Sequence, residues 1–207
     1  GNYEGQVPAI PRLRFREVRN RDIHRQIARG QVDLVNKVVD GEVIEAALAL
    51  EEEGALGISA YPRTGSAYLA IANERPITSS VKVRQALACC VDYDVLPREF
   101  LKGHGEKVYG YYGLGQWMPE AVGEDMEQLP RYGLDLDKAD QLLAEDGWVY
   151  DENGETYRKG YAGIRFRKAA GGELEPFSLR MIVTSENVAA RLVYDMLREN
   201  LGQIGGE

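Results

Sequence analysis

The chain has 207 residues, of which 44% are hydrophobic and 28% are charged. This balance is typical of a folded globular chain and excludes a disordered, collagen-like or coiled-coil protein. Its 25 basic and 33 acidic residues give a formal net charge of -8, which would repel the phosphate backbone of a nucleic acid. No apolar run approaches the roughly 20 residues that span a bilayer, and the start lacks the basic and then apolar order of a secretory signal. We therefore expect no nucleic-acid partner, no membrane span and no export signal within this sequence.

The first half of the chain predicts alternating strands and helices. Apolar and polar residues alternate where we expect strands, and apolar residues recur at helical spacing before a terminating glycine where we expect helices. The order strand, helix, strand favours a parallel pair with a right-handed crossover, and so an α/β fold with a mixed sheet flanked by helices. The predicted strands cover residues 13–18, 32–35, 56–61 and 67–72, and the predicted helices cover 22–29, 42–53 and 81–90.

The second half predicts a loop-rich excursion over 103–134 and a hairpin-like insertion over 149–177. In the insertion, the sequence Asp-Glu-Asn-Gly forms a turn between two tyrosine-bearing arms, and we expect this hairpin to be exposed. The remaining predicted elements are a helical piece starting at Pro97, a helix capped by Asp135 or Asp137, a strand over 178–183 and a helix over 186–201 capped by Ser185. The length favours one domain, since domains average about 150 residues.

No pattern in the sequence indicates catalysis or a metal site. The two histidines, His24 and His104, stand in unrelated settings, so neither pairs with a nucleophile or completes a set of zinc ligands. Cys89 and Cys90 are neighbours in a predicted helix, where their side chains diverge, and we expect buried thiols without a mutual disulfide. The sequence therefore predicts a protein that is not an enzyme and that carries no cofactor.

Aromatic residues and strand ends mark the places where a ligand would bind. Tyr109, Tyr111, Tyr112 and Trp117 gather in a Gly-rich loop, where the rings either cover a ligand or pin the loop to the body of the protein. The predicted strand ends at 35–37 and 184–186 lie beside helix N-termini, where open α/β sheets bind ligands.

Several segments, read in order, carry a family resemblance. Residues 83–92 read V-R-Q-A-L-A-C-C-V-D, and residues 138–148 read K-A-D-Q-L-L-A-E-D-G-W. They resemble the "V-R-Q-A-L … A-I-D-R" and "A-K-K-L-L-A-E-A-G-W" stretches of the extracytoplasmic solute-binding proteins of the peptide and nickel ABC-transporter family, also called family 5 or oligopeptide-binding proteins. Shorter matches at 2–5, 29–34 and 201–205 follow the same order, although Glu4 stands at the family's tryptophan and Tyr93 at a usual basic residue.

The resemblance implies a non-catalytic capture protein with a periplasmic-binding-protein type II-like fold. Residues 1–207 would form one lobe, the central part of a protein whose second lobe is missing here and whose lobes close over the ligand. The implied partners are a peptide or other small solute and the ABC permease subunits, with the protein acting as a monomer outside the cytoplasm, in the periplasm or lipid-anchored. The implied ligand-binding residues are Val35, Asn36, Lys37, Asp40, Tyr112, Trp117, Thr184, Ser185 and Glu186.

Two of these residues have a predicted role of their own, and other functions stay open. Lys37 would meet a peptide's terminal carboxylate and Glu186 its ammonium group. The alternatives are the ligand-sensing lobe of a regulator, a nickel- or heme-binding relative and, with least support, a small hydrolase.

Overall fold

A computed structural model describes residues 5, 9–184 and 187–207 of the chain. The chain divides into two units, Gly1–Ile58 and Ser59–Glu207. Each unit builds its own hydrophobic contacts, and the larger one contains most of the buried residues.

The first unit is built on two helices, α1 (Asn20–Ala28) and α2 (Gly41–Glu52). They pack on each other and bury Ile23 and Val43. Asp40 begins α2, because its carboxylate accepts hydrogen bonds from the backbone N–H groups of Glu42 and Val43. The positions of both helices confirm the sequence prediction.

The second unit is held together by α3 (Val81–Cys89), α5 (Leu136–Glu145) and α6 (Val188–Gln203). α3 and α5 pack closely against each other and bury Val83, Ala139 and Leu143. Ser80 caps α3 and Asp135 caps α5. The buried core comprises Val83, Ala86, Leu87, Cys89, Cys90, Ala139, Leu143, Trp148, Phe177, Leu197, Leu201 and Ile204. Both cysteines are therefore buried free thiols, as predicted.

The cap of α6 differs from the prediction. Ser185 and Glu186 lie outside the described residues, and α6 begins at Val188 with Asn187 as its cap. The Asn187 side-chain oxygen accepts a hydrogen bond from the Ala190 N–H at 3.0 Å. Asparagine caps a helix about as well as serine, and Asn187 is the cap of α6 in the structure.

The strands predicted over 13–18, 32–35, 56–61, 67–72 and 178–183 are wrong, since the structure assigns none of these segments to a strand. Leu13 is 70% exposed and Phe15 is 92% exposed. A strand needs a neighbour that pairs with its backbone N–H and C=O groups, and the alternation of side chains carries no information on where that neighbour lies.

The sheet lies instead in the insertion after α5. β1 (Phe166–Lys168) pairs antiparallel with β2 (Leu174–Pro176), and Tyr150 bridges both Thr156 and Phe166. The turn at residues 152 and 153 is exposed, as expected for this hairpin, but Arg165 is buried. Arg165 is 1% exposed because it pairs with the Asp140 carboxylate, and its Cζ atom stacks 4.3 Å from the centroid of the Tyr157 ring.

The segment between α3 and α5, which includes the excursion over 103–134, contains short elements only. It holds a π-helical turn (Leu96–Phe100), where a helical piece was predicted, and then the five-residue helix α4 (Met118–Val122) and a 3-10 turn (Gly123–Gln128). Its first turn contacts α6, which connects this segment to the core of the second unit.

Candidate functional site

Four of the predicted ligand residues lie in the first unit, between α1 and α2. Val35 is half-buried, whereas Asn36 and Lys37 are exposed. Lys37 has a φ of 62°, in the left-handed region that residues other than glycine rarely adopt. The carboxylate of the half-buried Asp40 caps α2. The structure thus gives Asp40 a structural role, and it leaves the Lys37 ammonium group at the surface, where an anionic group has access to it.

The Gly-rich loop of the second unit is packed on residues 62–64 of the same unit. The Gly115 N–H donates to the Arg63 carbonyl at 2.8 Å. A Cβ atom on Gly113 would lie 2.3 Å from the Thr64 carbonyl carbon, and one on Gly115 would lie 2.4 Å from the Pro62 carbonyl oxygen. Backbone atoms have no rotamer that moves them aside, so both positions require glycine. Close packing of two loops accounts for this glycine pattern.

Tyr112 and Trp117 stand in different surroundings within this loop. Tyr112 is half-buried, and its hydroxyl accepts a hydrogen bond from the Tyr109 N–H at 3.5 Å. Trp117 immediately precedes α4 and is 73% exposed. Of the two roles considered for these aromatic residues, Tyr112 fits the pinning of the loop, whereas the Trp117 indole is exposed at the surface.

A second aromatic pair at the surface was missed by the sequence reasoning. Tyr68 and Tyr111 are 67% and 82% exposed, and their ring centroids are 5.1 Å apart in an edge-to-face arrangement. The pKa of the Tyr111 hydroxyl is raised, chiefly by its hydrogen bond with Tyr68. Tyr111 belongs to the Gly-rich loop, but Tyr68 lies 43 positions earlier, and no local pattern connects the two residues.

The remaining predicted residues precede α6. Thr184 is exposed, and its carbonyl oxygen accepts a hydrogen bond from the Asn187 N–H at 3.1 Å. Ser185 and Glu186 lie outside the described residues. The predicted site residues therefore fall into the α1–α2 connection of the first unit and two segments of the second unit.

One cavity among the described residues does not coincide with the predicted ligand residues. It has a volume of about 640 Å³ and lies in the hairpin insertion. It is lined by Asp151, Gly154, Glu155, Thr156, Tyr157, Arg158 and Tyr161. The Asp151 carboxylate accepts hydrogen bonds from the Asn153 and Glu155 N–H groups, which fits a turn.

The two thiols are poor nucleophiles, and the described side chains form no metal-binding group. Burial raises the pKa of Cys89, and it raises the pKa of Cys90 to about 12, so both thiols stay protonated at neutral pH and are poor nucleophiles. Within residues 9–184 and 187–207, no group of three or more His, Cys, Asp or Glu side chains is arranged to hold a metal ion.

Comparison with known proteins identifies the family of this chain. The family model of the bacterial extracellular solute-binding proteins, family 5 Middle, matches residues 1–206. The chain belongs to this family. The match covers both units, including the α1–α2 connection and the Gly-rich loop. No curated protein sequence matches this family 5 chain.

Two solved structures are similar to the family 5 chain. The oligopeptide-binding protein AppA from Bacillus subtilis, solved in complex with a nonapeptide, is 21% identical with a TM-score of 0.61, over 91% of this chain and 33% of AppA. The oligopeptide binding protein from Thermus thermophilus, complexed with a pentapeptide, is 26% identical with a TM-score of 0.46, over 60% of this chain and 18% of that protein. The chain therefore spans at most about a third of the length of these proteins.

The likeness to AppA confirms the predicted fold class. The chain combines helices with a small sheet, in the type II-like fold of periplasmic binding proteins. Proteins of this family are extracytoplasmic binding proteins. Over the described residues, no helix has both the length and the apolar character that crossing a bilayer requires.

Proposed function

We propose that this chain is part of the substrate-binding component of an ABC transporter and captures peptides outside the cytoplasm for import. The observation that carries the proposal is the match to the family 5 solute-binding proteins over residues 1–206. The fold shared with AppA supports it, because AppA was solved with a bound nonapeptide.

The chain forms one lobe of this component, and the ligand is held between it and a second lobe. One wall of a cleft buries too little of a ligand to hold it, so closure of two lobes supplies the affinity. The component is a monomer that delivers peptide to the permease subunits, from the periplasm or from a lipid anchor on the outer face of the membrane. It binds without catalysis and without a cofactor.

The contacts follow from the chemistry of the predicted residues. The Lys37 ammonium group pairs with the terminal carboxylate of the peptide, and Glu186 pairs with its ammonium group. Trp117 packs on the ligand with an indole that is 73% exposed, and Tyr112 keeps the loop in place. Val35, Asn36, Asp40, Thr184 and Ser185 complete the contacts with hydrogen bonds and side-chain packing.

Isothermal titration calorimetry on the full-length protein tests this function. Peptides of two to nine residues are titrated in parallel with free amino acids and with Ni²⁺. We expect heat of binding with peptides and none with free amino acids or Ni²⁺. Binding of Ni²⁺ without peptide binding, or of neither, would contradict the proposal.

The ion-pair contacts are tested by Lys37→Gln and Glu186→Gln in the same protein. A hydrogen bond to a charged group contributes about 1.5–3 kcal/mol, so each variant should bind peptide roughly tenfold or more weakly. Lys102→Gln is the matched control, because Lys102 is also exposed and also has a left-handed backbone, with a φ of 51°. Equal peptide affinity of Lys37→Gln and Lys102→Gln would show that Lys37 does not pair with the peptide.

A further inference from the structure

The two cysteines of the chain lie at the junction of α3, α5 and α6. Cys89 is 1% exposed and Cys90 is 0% exposed, and both are free thiols within the buried core of the second unit. They are consecutive residues, since Cys89 ends α3 and Cys90 follows as its C-terminal cap. Further residues of a longer protein can only bury these side chains more deeply in the same fold. The proposed capture of peptides makes no use of the thiols.

The carbonyl groups of both cysteines join α3 to another helix. The Cys89 carbonyl accepts a hydrogen bond from the N–H of Asp135, the cap of α5, at 2.8 Å. The Cys90 carbonyl accepts one from the buried Asn200 side chain of α6, also at 2.8 Å. A group attached to either sulfur would have to occupy the packed core or displace the end of α3, and such a displacement breaks both connections.

The folded and unfolded chains differ in thiol reactivity. In the folded chain, burial raises the pKa of Cys90 to about 12 and also raises the pKa of Cys89, so little of the nucleophilic thiolate forms. In the unfolded chain, a thiol with the ordinary pKa of 9.0 is about one-tenth thiolate at pH 8 and is open to solvent. Disulfides form and persist outside the cytoplasm, whereas cytoplasmic thiols are kept reduced. An extracytoplasmic protein therefore protects these thiols from oxidation only once it has folded.

We propose that Cys89 and Cys90 make folding of the second unit conditional on both thiols being reduced, so that oxidation before folding prevents peptide capture. The step is thiol–disulfide exchange with a small disulfide such as oxidised glutathione. The cysteine thiolate attacks one sulfur of the disulfide, the bond between the two glutathione sulfurs breaks, and the second glutathione leaves with the electron pair and takes up a proton. The mixed disulfide carries a tripeptide, for which the packed core has no room. Only the last consequence, the loss of peptide capture, rests on the proposed function.

Refolding of the full-length protein in the two redox forms of glutathione tests the proposal. The protein is unfolded in urea at pH 8, incubated with oxidised or with reduced glutathione, and diluted out of urea. We expect the reduced sample to regain its helical circular dichroism and its peptide binding. The oxidised sample should regain neither until dithiothreitol is added. Equal recovery of the two samples would overturn the proposal.

Variants assign the effect to these two positions. The double variant with Cys89→Ala and Cys90→Ala should recover equally from oxidised and reduced glutathione. Each single variant keeps one thiol and should recover only from the reduced form, because one attached tripeptide is enough to disrupt the core. Comparing the two redox forms of the same variant cancels the effect of lost packing. A loss in the double variant as large as in the unmodified protein would place the effect at other cysteines of the full-length protein and overturn the proposal.

The folded protein provides a test that does not depend on refolding. Native protein incubated with oxidised glutathione at pH 8 should stay unlabelled at Cys89 and Cys90, as peptide mapping by mass spectrometry measures. A protein that carries glutathione at either position and keeps its circular dichroism would overturn the proposal. Circular dichroism reports folding whether or not peptides bind, so a failure of the proposed function is distinguished from a failure of this inference.

Discussion

The hydroxyl of Ser80 connects two helices, because it caps α3 and also donates a hydrogen bond to the carboxylate of Asp146, the residue after α5. The other carboxylate oxygen of Asp146 accepts a hydrogen bond from the Trp148 indole N–H at 3.1 Å. Arg167 completes the cluster, with Nη1 3.6 Å from that oxygen and Cζ 4.5 Å from the centroid of the Trp148 ring. One carboxylate thus joins α3, α5 and β1 around the buried Trp148.

Asp146→Ala should destabilise the protein by about 3 kcal/mol. The side chain is 16% exposed, and its removal leaves the Ser80 hydroxyl, the Trp148 N–H and the Arg167 guanidinium without their shared acceptor. Urea denaturation measures the change in the free energy of unfolding. The matched control is Glu145→Ala, which removes a 44% exposed carboxylate 3.1 Å from Lys82 and should cost less than about 1 kcal/mol. Equal effects of the two variants would contradict this account of Asp146.

The helices could be predicted because their signals are local. Asp135, one of the two predicted caps, begins α5, and Ser80 and Asp40 likewise cap helices whose first turn follows directly in the sequence. The burial of Arg165 could not be predicted, because its partners belong to separate segments of the sequence. They are the Asp140 carboxylate of α5, the Tyr157 ring of the insertion and the Gly205 carbonyl that follows α6.

In the candidate site, too, contacts between residues that are distant in the sequence could not be predicted. Lys37 and Trp117 are exposed, and both lie in connecting segments and not in a helix or strand. The packing of Gly113 on Thr64 and the pairing of Tyr68 with Tyr111 join two loops that are distant in the sequence, and only the folded chain shows them.

Gly113→Ala should destabilise the junction of these two loops by about 1–3 kcal/mol. The new methyl group would lie 2.3 Å from the Thr64 carbonyl carbon, so one of the two backbones has to shift. Gly133→Ala is the matched control, since a Cβ there meets nothing within 4 Å, and it should be neutral or slightly stabilising. Thermal unfolding measures stability, and the fluorescence of the exposed Trp117 reports on the loop. A Gly113→Ala protein as stable as Gly133→Ala would contradict the close approach.

Above pH 9, stability should fall because of Cys90. Burial raises the pKa of Cys90 from its ordinary value of 9.0 to about 12, so the folded protein keeps a proton that the unfolded chain releases. The unfolded state binds fewer protons between these two values, so the free energy of unfolding decreases as the pH rises, by up to about 1.4 kcal/mol per pH unit. Below pH 9 both states are protonated, and this contribution is constant.

Urea denaturation at pH 8, 9 and 10 of the unmodified protein and of Cys90→Ala checks this dependence. The decrease should be smaller in Cys90→Ala by the contribution of one thiol, whatever the variant costs at pH 8 through lost packing. Parallel curves for the two proteins would show that the Cys90 thiol is not the source. A thiol reagent at pH 8 should label Cys90 only when urea unfolds the protein.

Replacing Lys37 with glycine should stabilise the protein while weakening peptide binding. The φ of 62° places this residue in a conformation that costs an L-amino acid roughly 1–2 kcal/mol, and glycine adopts it without that cost. After allowing for the greater freedom of glycine in the unfolded chain, we expect a gain of about 0.5–1 kcal/mol in urea denaturation for Lys37→Gly and none for Lys37→Ala. Both variants lack the ammonium group, so calorimetry should show the same loss of peptide affinity in both. Lys102→Gly, at a φ of 51°, should gain similar stability and keep full affinity. A different peptide affinity in Lys37→Gly and Lys37→Ala would show that the backbone at residue 37, and not its charge, determines binding.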